Sequence, residues 1–397
     1  MNVKYLLFFL LMGGMISCQS SDEYSEETQE PEKEQEEESA CQAWQDFVSR
    51  SERNVLLDFS YAGYKRGEMA PPDIWTLGYK KYDITKYGAV PDDGKSDRAA
   101  FMRVLEEIGI NHNPNARAII YFPEGEFVLY DENDKVDGKS ETMQIRAGNL
   151  VLKGAGRAKT SIVMKAPYQP LEGLDYAGPM IEFKHWSGFT PELSDIVGDA
   201  VKGSFSIEVA SASGLSAGDW VCLKLEDNSP ELIAQELKPY AVSAQMTQLR
   251  NKGVQVYDIH QVKSVRGNKV TFFEPLLYGV EKKWKWKLCR YNYYENIGIE
   301  DMSFYGNAPK EFIHDQWAIN SAYKPINFHR IANSWVRRVD FYSVSEAVTF
   351  TECANVSAYD IRIGGNRGHC AVHTSGSSRV LIADVVDEGE SSTLHYS

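Results

Sequence analysis

The chain has 397 residues, of which 43% are hydrophobic, and a formal net charge of −14. This length can bury one large core or two ordinary ones, so a globular protein is expected. The sequence contains no basic stripe that could neutralise phosphates, which disfavours a nucleic-acid partner.

The first eighteen residues have the composition of a bacterial export signal. Lys4 gives a positive start, and the apolar run Tyr5–Met12 is too short to cross a bilayer as a helix. The string MISC (15–18) resembles a lipobox, in which Cys18 is lipidated and becomes the mature N-terminus. The resemblance implies an outer-membrane lipoprotein that contacts the membrane only through its lipid. An ordinary cleaved signal with an incidental cysteine is the alternative.

Gln19–Ala40 is predicted to be a disordered acidic tether. It contains ten acidic residues, a single lysine and almost nothing apolar, so burial cannot offset the entropy cost of ordering it. It carries most of the net charge, which therefore says little about the substrate. Acidic residues directly behind a lipidated cysteine also resemble the surface-export signal of Bacteroidota lipoproteins. We therefore expect the protein to face the cell surface or the periplasm.

Beyond Cys18 the chain has five cysteines, and none shows metal-ligand spacing such as C-x-x-C. An exported protein can oxidise some of them, and the odd number leaves at least one unpaired within the chain. The sequence does not indicate which cysteines pair. The five are Cys41, Cys222, Cys289, Cys353 and Cys370.

Residues 41–165 are predicted to form the start of a β-helix. The string DFSYAGYKRGEMAPP (58–72) precedes YDITKYGAVPDDGKSDRAAF (82–101), which predicts a strand, a turn and a helix capped by Ser96 or Asp97. These strings resemble the opening of the pectate-lyase-like superfamily. The resemblance implies an all-β fold, a right-handed parallel β-helix whose first coil is covered by an N-terminal capping helix.

The following segments predict short strands of the first coils and then a β-rich insertion. Ala118–Phe127 and Asn149–Met164 each predict two strands around a turn, as in the first coils of a β-helix. Residues 166–290 predict a small β-rich insertion. Within it, KKWKWKL (282–288) predicts a strand that presents Trp284 and Trp286 on one face, where they can stack on sugar rings. A half-buried strand with a solvated lysine face is the alternative.

A repeat in residues 291–397 predicts stacked coils. The segments IGIEDMSF (297–304), SWVRRVDF (334–341), NVSAYDI (355–361) and RVLIADV (379–385) align at steps of 37, 20 and 24 residues. Such steps suit the coils of a β-helix, whose strands stack at roughly 4.8 Å. In this register two sets of residues each share one inward position. The first set is Met302, Val339, Tyr359 and Ala383, and the second is Phe304, Phe341, Ile361 and Val385.

The same register predicts an outward column of three aspartates, Asp340, Asp360 and Asp384. Stacked carboxylates can hold Ca²⁺ or act as general acid and base, so these three are the candidate metal ligands. A solvated column screened by neighbouring arginines is the alternative. Among those arginines, Arg337 is also a candidate for binding substrate.

A second candidate site lies in GGNRGHCAVHTSG (364–376), where a strand would turn His369 and His373 outward behind Arg367. Removal of the proton α to a uronate carboxylate needs a cation and a base, so these three are the candidate catalytic residues. Exposed structural histidines are the alternative.

His314 is a candidate for substrate binding. It lies with NFHR (327–330) in the long 37-residue step, where loop packing is the favoured interpretation of each polar residue.

These observations lead to three functional hypotheses. The first is a polysaccharide lyase that cleaves an acidic, uronate-containing polysaccharide by β-elimination. The second is a glycoside hydrolase that uses two of the aspartates, and the third is a non-catalytic glycan-binding lipoprotein.

The strings GIEDMSFYGN, NSWVRRVDF and NRGH also resemble an uncharacterised class of Bacteroidota β-helix lipoproteins. The polar end EGESSTLHYS (388–397) cannot cover the last coil, so we expect a longer protein or a partner there.

Overall fold

A computed structural model describes residues 41–49, 51, 56, 59–170, 176–310 and 321–390. The predicted signal with Cys18, the acidic tether and His314 lie outside these residues. The chain divides into two units, Met1–Leu56 and Leu57–Ser397. In the described part of the first unit, Gln42–Val48 forms a short helix, α1.

The second unit is mostly β. Its helices are α2 (Arg98–Ile108), α3 (Pro230–Leu237) and α4 (Thr247–Lys252), with short 3₁₀ turns at Tyr64–Gly67, Ile74–Thr76, Ile84–Tyr87 and Glu132–Asp134. Its first strands are β1 (Lys80–Asp83), β2 (Asn111–Asn113), β3 (Ala118–Phe122), β4 (Gly125–Tyr130), β5 (Met143–Ala147), β6 (Leu150–Gly154), β7 (Thr160–Met164) and β8 (Ile181–Lys184). The next six are β9 (Glu192–Asp195), β10 (Ser206–Glu208), β11 (Trp220–Asp227), β12 (Val254–Arg266), β13 (Lys269–Phe272) and β14 (Lys287–Arg290). The last are β15 (Tyr294–Glu295), β16 (Ile297–Tyr305), β17 (Ile326–His329), β18 (Ile331–Tyr342), β19 (Glu346–Thr351), β20 (Ala354–Gly364), β21 (Cys370–Ser375) and β22 (Leu381–Asp387).

The strands outside β9–β14 stack in parallel and form three faces around one core. Face 1 runs β1-β3-β6 and continues through the first halves of β16, β18, β20 and β22. Face 2 runs β4-β7 and continues through the second halves of the same four strands. Face 3 runs β2-β5-β8-β17-β19-β21. The predicted all-β parallel β-helix is therefore confirmed.

The corner between faces 1 and 2 is a column of residues with left-handed backbone. Asp301, Arg338, Asp360 and Asp384 occupy it on successive strands, with φ between 51° and 59°. A left-handed residue turns the chain sharply, and Asp adopts that conformation more readily than most residues do. Each long strand therefore contributes to two faces of the β-helix.

An asparagine column forms the corner that precedes face 1. Asn149, Asn296, Asn333 and Asn355 have φ between 44° and 57°, and Asn296 Nδ2 donates to Asn149 Oδ1 at 3.0 Å. Arg379, with φ of 57°, takes the same position on the next coil. Asn149 and Asn296 are neighbours in space because Leu150 pairs with Ile297. The β-helix thus resumes in register after a long excursion of the chain.

The predicted register is correct for two of its three steps. Met302 pairs with Val339 and Ile361 pairs with Val385, which confirms the steps of 37 and 24 residues. Between β18 and β20, however, Val339 pairs with Ile361 rather than with Tyr359. Tyr359 and Ala383, which were predicted to point inward, therefore share the outward position of Arg337 instead. The left-handed residues Arg338 and Asp360 interrupt the alternation of apolar residues, so that alternation could not reveal the slip of two residues.

Strands β9–β14 form the predicted β-rich insertion as a separate antiparallel sheet, in the order β10-β13-β12-β11-β14-β9. The insertion begins later than residue 166, because β8 pairs with β5 and β17 and so belongs to face 3. The predicted helix near the start of the β-helix is α2, which buries Phe101 and Val104 in the main core. Asp97 precedes α2, but its carboxylate accepts from the Val90 and Val128 amides instead of capping the helix.

A buried polar cluster ties the insertion to the β-helix. Arg379 donates to Asp258 Oδ1 at 3.1 Å and to the Ile259 carbonyl at 2.6 Å. His260 Nε2 lies 3.0 Å from Asp258 Oδ2, and its Nδ1 lies 3.6 Å from Glu274. Burial would raise the pKa of Asp258, but the nearby charges of His260 and Arg379 outweigh it and lower that pKa to about 2.

Candidate functional site

Face 3 presents a row of polar side chains on its outer surface. Ile326 and Phe328 of β17 point into the core and are fully buried, so Asn327 and His329 between them point outward. Strand pairing extends this row over five strands of face 3. From β5 to β21 the row contains Gln144, Glu182, Asn327, Thr349 and His373, and a second row beside it contains Lys184, His329, Thr351 and Ser375. We call these two rows the floor.

Glu182 lies in the middle of the floor and is held by several donors. Asn327 Nδ2 donates to its Oε1 at 3.0 Å and Gln144 Nε2 to its Oε2 at 3.3 Å. Lys184 Nζ lies 3.5 Å from Oε2, and the side chain of Glu182 is only 8% exposed. Burial would raise the pKa of Glu182, but hydrogen bonding to His329 and the charge of Lys184 outweigh it and lower that pKa. Glu182 is therefore an ionised carboxylate.

His329 lies between two carboxylates. Its Nδ1 is 3.8 Å from Glu182 Oε1, and its Nε2 is 3.4 Å from Glu352 Oε2. Burial and the guanidinium of Arg330, whose Nη1 is 2.8 Å from Nε2, oppose protonation of the ring. The nearby carboxylates of Glu182 and Glu352 outweigh both effects, so the pKa of His329 is raised. The ring therefore holds a proton more firmly than an ordinary histidine.

The corner that follows face 3 fixes Glu352 and Arg330. Both residues have left-handed backbone, with φ of 51° and 57°. Arg330 Nη1 donates to Glu352 Oε2 at 2.7 Å, and its Nη2 donates to the His185 carbonyl at 2.8 Å. Burial would raise the pKa of Glu352, but hydrogen bonds from His329 and Arg330 lower it overall. Glu352 is 26% exposed at its side chain, which makes it the more accessible of the two carboxylates.

The insertion borders the floor at this corner. Tyr291 donates its hydroxyl to the Glu352 carbonyl at 2.8 Å, and the Ile259 amide donates to Ser378 Oγ at 3.0 Å. Tyr257 of β12 donates to Glu226 of β11 at 2.6 Å. The first two contacts place the insertion against the corner that carries Glu352.

Trp186 is an exposed aromatic residue two positions after β8. It is 62% exposed, and its indole stacks on the His185 ring with centroids 5.9 Å apart. Lys184, at the end of β8, belongs to the floor, so Trp186 lies close to it in the chain. An exposed indole presents an apolar face on which a sugar ring can stack.

The predicted catalytic residues lie on and just before β21. Arg367 forms an ion pair with Asp387, Nε to Oδ2 at 3.1 Å, and its side chain is 17% exposed. His369 precedes the strand, with Nδ1 3.4 Å from Cys370 Sγ. His373 is exposed on the floor and pairs in register with Thr349. Of the three, His373 is the one that the strand register places on the floor, and their catalytic roles stay predictions.

The predicted aspartate column is wrong. Asp340 pairs with Ser303 and Arg362 on face 2, whereas Asp360 and Asp384 lie in the corner column with left-handed backbone. Asp340 is 5% exposed and lies 3.1 Å from Arg157, which also binds Asp360 at 2.7 Å. The two-residue slip between β18 and β20 is the reason for the error.

These three aspartates do not fit a calcium site, because they do not converge on one point. Across the described ranges, no group of three or more histidine, cysteine, aspartate or glutamate side chains could hold a metal ion. No step of the chemistry below is assigned to calcium, which stays a prediction from the sequence.

Three residues predicted to bind substrate are tied into the structure instead. Arg337 is 7% exposed, forms an ion pair with Glu300 and donates to the Pro72 carbonyl at 2.7 Å, so it anchors the N-terminal segment. Trp286 is 3% exposed, and Trp284 packs beside it in the core of the insertion. β14 begins only at Lys287, so the predicted alternation around the two tryptophans does not form.

Glu182 of the floor and Glu352 of the adjoining corner were not predicted as site residues. His329 was assigned to loop packing, whereas it lies at the end of strand β17. A signal for them exists in the repeat IEFK (181–184), INFH (326–329) and VTFT (348–351), which alternates apolar and polar residues on three consecutive strands. The repeat is hard to find because 145 positions separate Glu182 from its neighbour Asn327.

No family model and no curated protein matches the chain. Three similar solved structures are the tailspike gp61 of Pseudomonas phage phi297, the A-module of the mannuronan C-5 epimerase AlgE4 of Azotobacter vinelandii, and a family 28 exopolygalacturonase of Yersinia enterocolitica. Their identities to this chain are 12%, 10% and 8%, and their TM-scores are 0.47, 0.34 and 0.33. The alignments cover 77%, 78% and 78% of this chain and 51%, 52% and 49% of those chains.

The chain thus spans about half the length of these structures. At such distances the similarity carries no argument about chemistry, and the fold assignment rests on the strand pairing described above. The narrower resemblance to a Bacteroidota lipoprotein class is not tested by these matches and stays a prediction. Among the described residues, no helix is long and apolar enough to cross a membrane.

Proposed function

We propose that this protein binds a polysaccharide along the floor of face 3 and cleaves it there. The observation that carries the proposal is the position of His329 between two ionised carboxylates, Glu182 and Glu352, on an outer face bordered by the insertion. A protonated imidazole and a carboxylate within one site can give and take protons in a single reaction. Rows of donors and acceptors along five parallel strands suit an extended chain of hydroxyl groups.

We further propose that the substrate contains uronate and that the reaction is β-elimination. Glu352 would remove the proton next to the uronate carboxylate, the bond to the leaving oxygen would break, and His329 would protonate that oxygen. Lys184, 28% exposed and in register with His329, would neutralise the uronate carboxylate. Glu352 ends protonated and His329 neutral, and exchange with solvent restores both.

A glycoside hydrolase is the second candidate function. Two carboxylates flank His329, and hydrolysis of a glycosidic bond commonly uses such a pair. Hydrolysis needs one of them protonated, whereas hydrogen bonds and nearby charges lower the pKa of both Glu182 and Glu352. This observation ranks elimination first. The third candidate, a glycan-binding protein without activity, would use the same floor together with Trp186.

The deciding experiment is a screen of pectins, alginate, ulvan and glycosaminoglycans with the wild-type protein and with His329→Gln. Elimination gives products that absorb ultraviolet light through a new carbon–carbon double bond, and hydrolysis gives new reducing ends without that absorbance. We expect unsaturated products from the wild type and a loss of about 100-fold or more in kcat for His329→Gln, with KM little changed.

Asp384→Asn, an exposed residue of the corner column, is the matched control and should keep full activity. Trp186→Ala should raise KM if the indole stacks on sugar. Binding without products on every glycan would support the non-catalytic alternative. Cleavage that His329→Gln leaves intact would exclude the floor as the active site, and loss of cleavage on adding a chelator would restore a role for calcium.

We also propose, from the sequence, that Cys18 is lipidated and that the protein is held at the outer membrane by this lipid alone, facing the cell surface or the periplasm. A polysaccharide-cleaving protein must meet polymers that do not enter the cell. A surface anchor would place the floor where such polymers arrive.

A further inference from the structure

Two buried cysteines face each other across the insertion sheet. β11 and β14 are antiparallel, and their register pairs Cys222 directly with Cys289. Directly opposed residues of an antiparallel pair point to the same side of the sheet, with Cα atoms about 4.5–5.5 Å apart. A disulfide spans Cα atoms about 4.4–6.8 Å apart, so the separation typical of directly opposed residues lies within the range that a disulfide can bridge.

The surroundings of the pair place it at the base of the insertion. Both cysteines are fully buried, in a cluster with Trp220 and Tyr291 of the insertion and with Ala354 of the β-helix. A bond between them would join β11 to β14, two neighbouring strands that lie 67 positions apart in sequence. Cys353 offers a contrast, because it is equally buried but its Sγ lies near the Phe328 and Thr351 carbonyls in the β-helix.

We propose that Cys222 and Cys289 form a cross-strand disulfide when the protein folds in an oxidising compartment. The oxidant is a disulfide, supplied either by a small molecule or by a thiol–disulfide oxidoreductase. One cysteine thiolate attacks a sulfur of that disulfide and releases a thiolate. The second cysteine then attacks the mixed disulfide and releases the other. The two cysteines lose two electrons and two protons, and the oxidant becomes two thiols.

Burial determines when this reaction can take place. Burial is the main cause that raises the pKa of Cys289 to about 11, and it also raises the pKa of Cys222 well above the usual thiol value, with the neighbouring Cys289 adding to the effect. Only the thiolate attacks a disulfide, so the closed insertion reacts slowly. The bond should therefore form while the insertion sheet closes and be resistant to reductant afterwards.

The test compares the full chain exported to the bacterial periplasm with the same chain made in the reducing cytosol. Each sample is denatured in the presence of an alkylating reagent, digested without reductant and analysed by mass spectrometry. We expect a linked peptide pair containing Cys222 and Cys289 in the exported protein, lost on reduction, and alkylated thiols at both positions in the cytosolic protein. Cys353 should be alkylated in both samples.

The variants Cys222→Ser and Cys289→Ser make the test specific, with Cys353→Ser as the matched control for a buried thiol. Each of the first two should leave its partner alkylated and lower the melting temperature of the exported protein to that of the reduced wild type. Cys353→Ser should keep the linked pair. Complete alkylation of both cysteines in the exported wild type, or a link from either of them to another cysteine, would overturn the proposal.

Discussion

The imidazole of His329 is the residue on which the proposed chemistry depends. Its ring meets Glu182 on one side and Glu352 on the other, and these contacts raise its pKa against the opposing effects of burial and Arg330. A histidine with a raised pKa keeps its proton to a higher pH than an ordinary histidine does. A proton donor of this kind loses its proton, and its function, as the pH rises through the raised pKa.

We therefore predict that kcat falls as the pH rises above about 6.5, the ordinary histidine value, through the raised pKa of His329. Glu352→Gln removes one of the groups that raise this pKa, so the titration of the His329 ring, followed by NMR, should move to lower pH. Asp384→Asn should leave the titration where it is. An unchanged titration in Glu352→Gln would mean that Glu352 does not bind the protonated ring.

The proton bound by His329 also stabilises the folded protein, and the raised pKa fixes how this stabilisation changes with pH. Because the folded protein binds the proton of His329 more tightly than the unfolded chain, this stabilisation is complete below the unfolded pKa of about 6.5 and is lost as the pH rises through the folded pKa. Asp258 behaves in the opposite way. Its folded pKa of about 2 is below the unfolded value of about 3.9, so its contribution is present above pH ~4 and is lost as the pH falls towards 2.

Asp258→Asn is predicted to lower the free energy of unfolding by about 3–5 kcal/mol at neutral pH, because Arg379 would be left buried without its counter-charge. Urea unfolding measures the change. Asp195→Asn is the control, since Asp195 pairs with Lys287 at a side-chain exposure of 60% and should cost less than about 1 kcal/mol. Equal effects of the two substitutions would contradict the structural role given to the buried cluster.

At the scale of the element, each coil is defined by its corners as much as by its strands. A left-handed residue separates the two halves of β16, β18, β20 and β22, and the apolar residues between corners alternate with period two. The sequence shows this alternation clearly, which is why the strands around Phe304 and Phe341 were predicted correctly. It does not show the corners, because Asp, Asn, Arg and Glu all occupy them, so a slip of two residues displaced Asp340 from its true neighbours.

A column of stacked phenylalanines holds the strands of face 3 together. The Phe183 and Phe328 rings lie 5.2 Å apart, and the Phe328 and Phe350 rings 5.1 Å apart. Phe328→Ala should lower the free energy of unfolding by about 3–5 kcal/mol, because it leaves a cavity between two rings. Val386→Ala, at a residue 48% exposed, should change it by less than about 0.5 kcal/mol. Similar values for both would show that the column is not part of a close-packed core.

At the scale of the whole molecule, the sequence was sufficient for the architecture and insufficient for the site. Repeats of coil length and the opening strings predicted a β-helix, because local alternation and turn residues are encoded locally. The site combines Glu182, from before the insertion, with Asn327 of the floor and Glu352 of the adjoining corner, from after it. This arrangement depends on which strands pair with each other in the folded protein. A single sequence does not reveal such pairing when a long insertion separates the strands. The burial of Arg337 likewise depends on Pro71 and Pro72, which are distant in the chain.

The proposed anchor concerns the whole molecule as well. Cys18→Ser should move the protein from the membrane fraction to the soluble fraction of the cell, because a single lipid at that residue is the proposed attachment. Fractionation followed by immunoblotting measures the shift, and Cys41→Ser is the control. A Cys18→Ser protein that still sediments with membranes would exclude the lipid as its only anchor.

The asparagine corner allows the chain to leave the β-helix after one turn and return on the next without any misalignment of the rungs. Asn149 and Asn296 touch as immediate neighbours although 147 positions separate them. Such a junction is permissive for evolution and for engineering. A different module could be grafted there to reshape the surface beside the floor, while the β-helix keeps its own geometry.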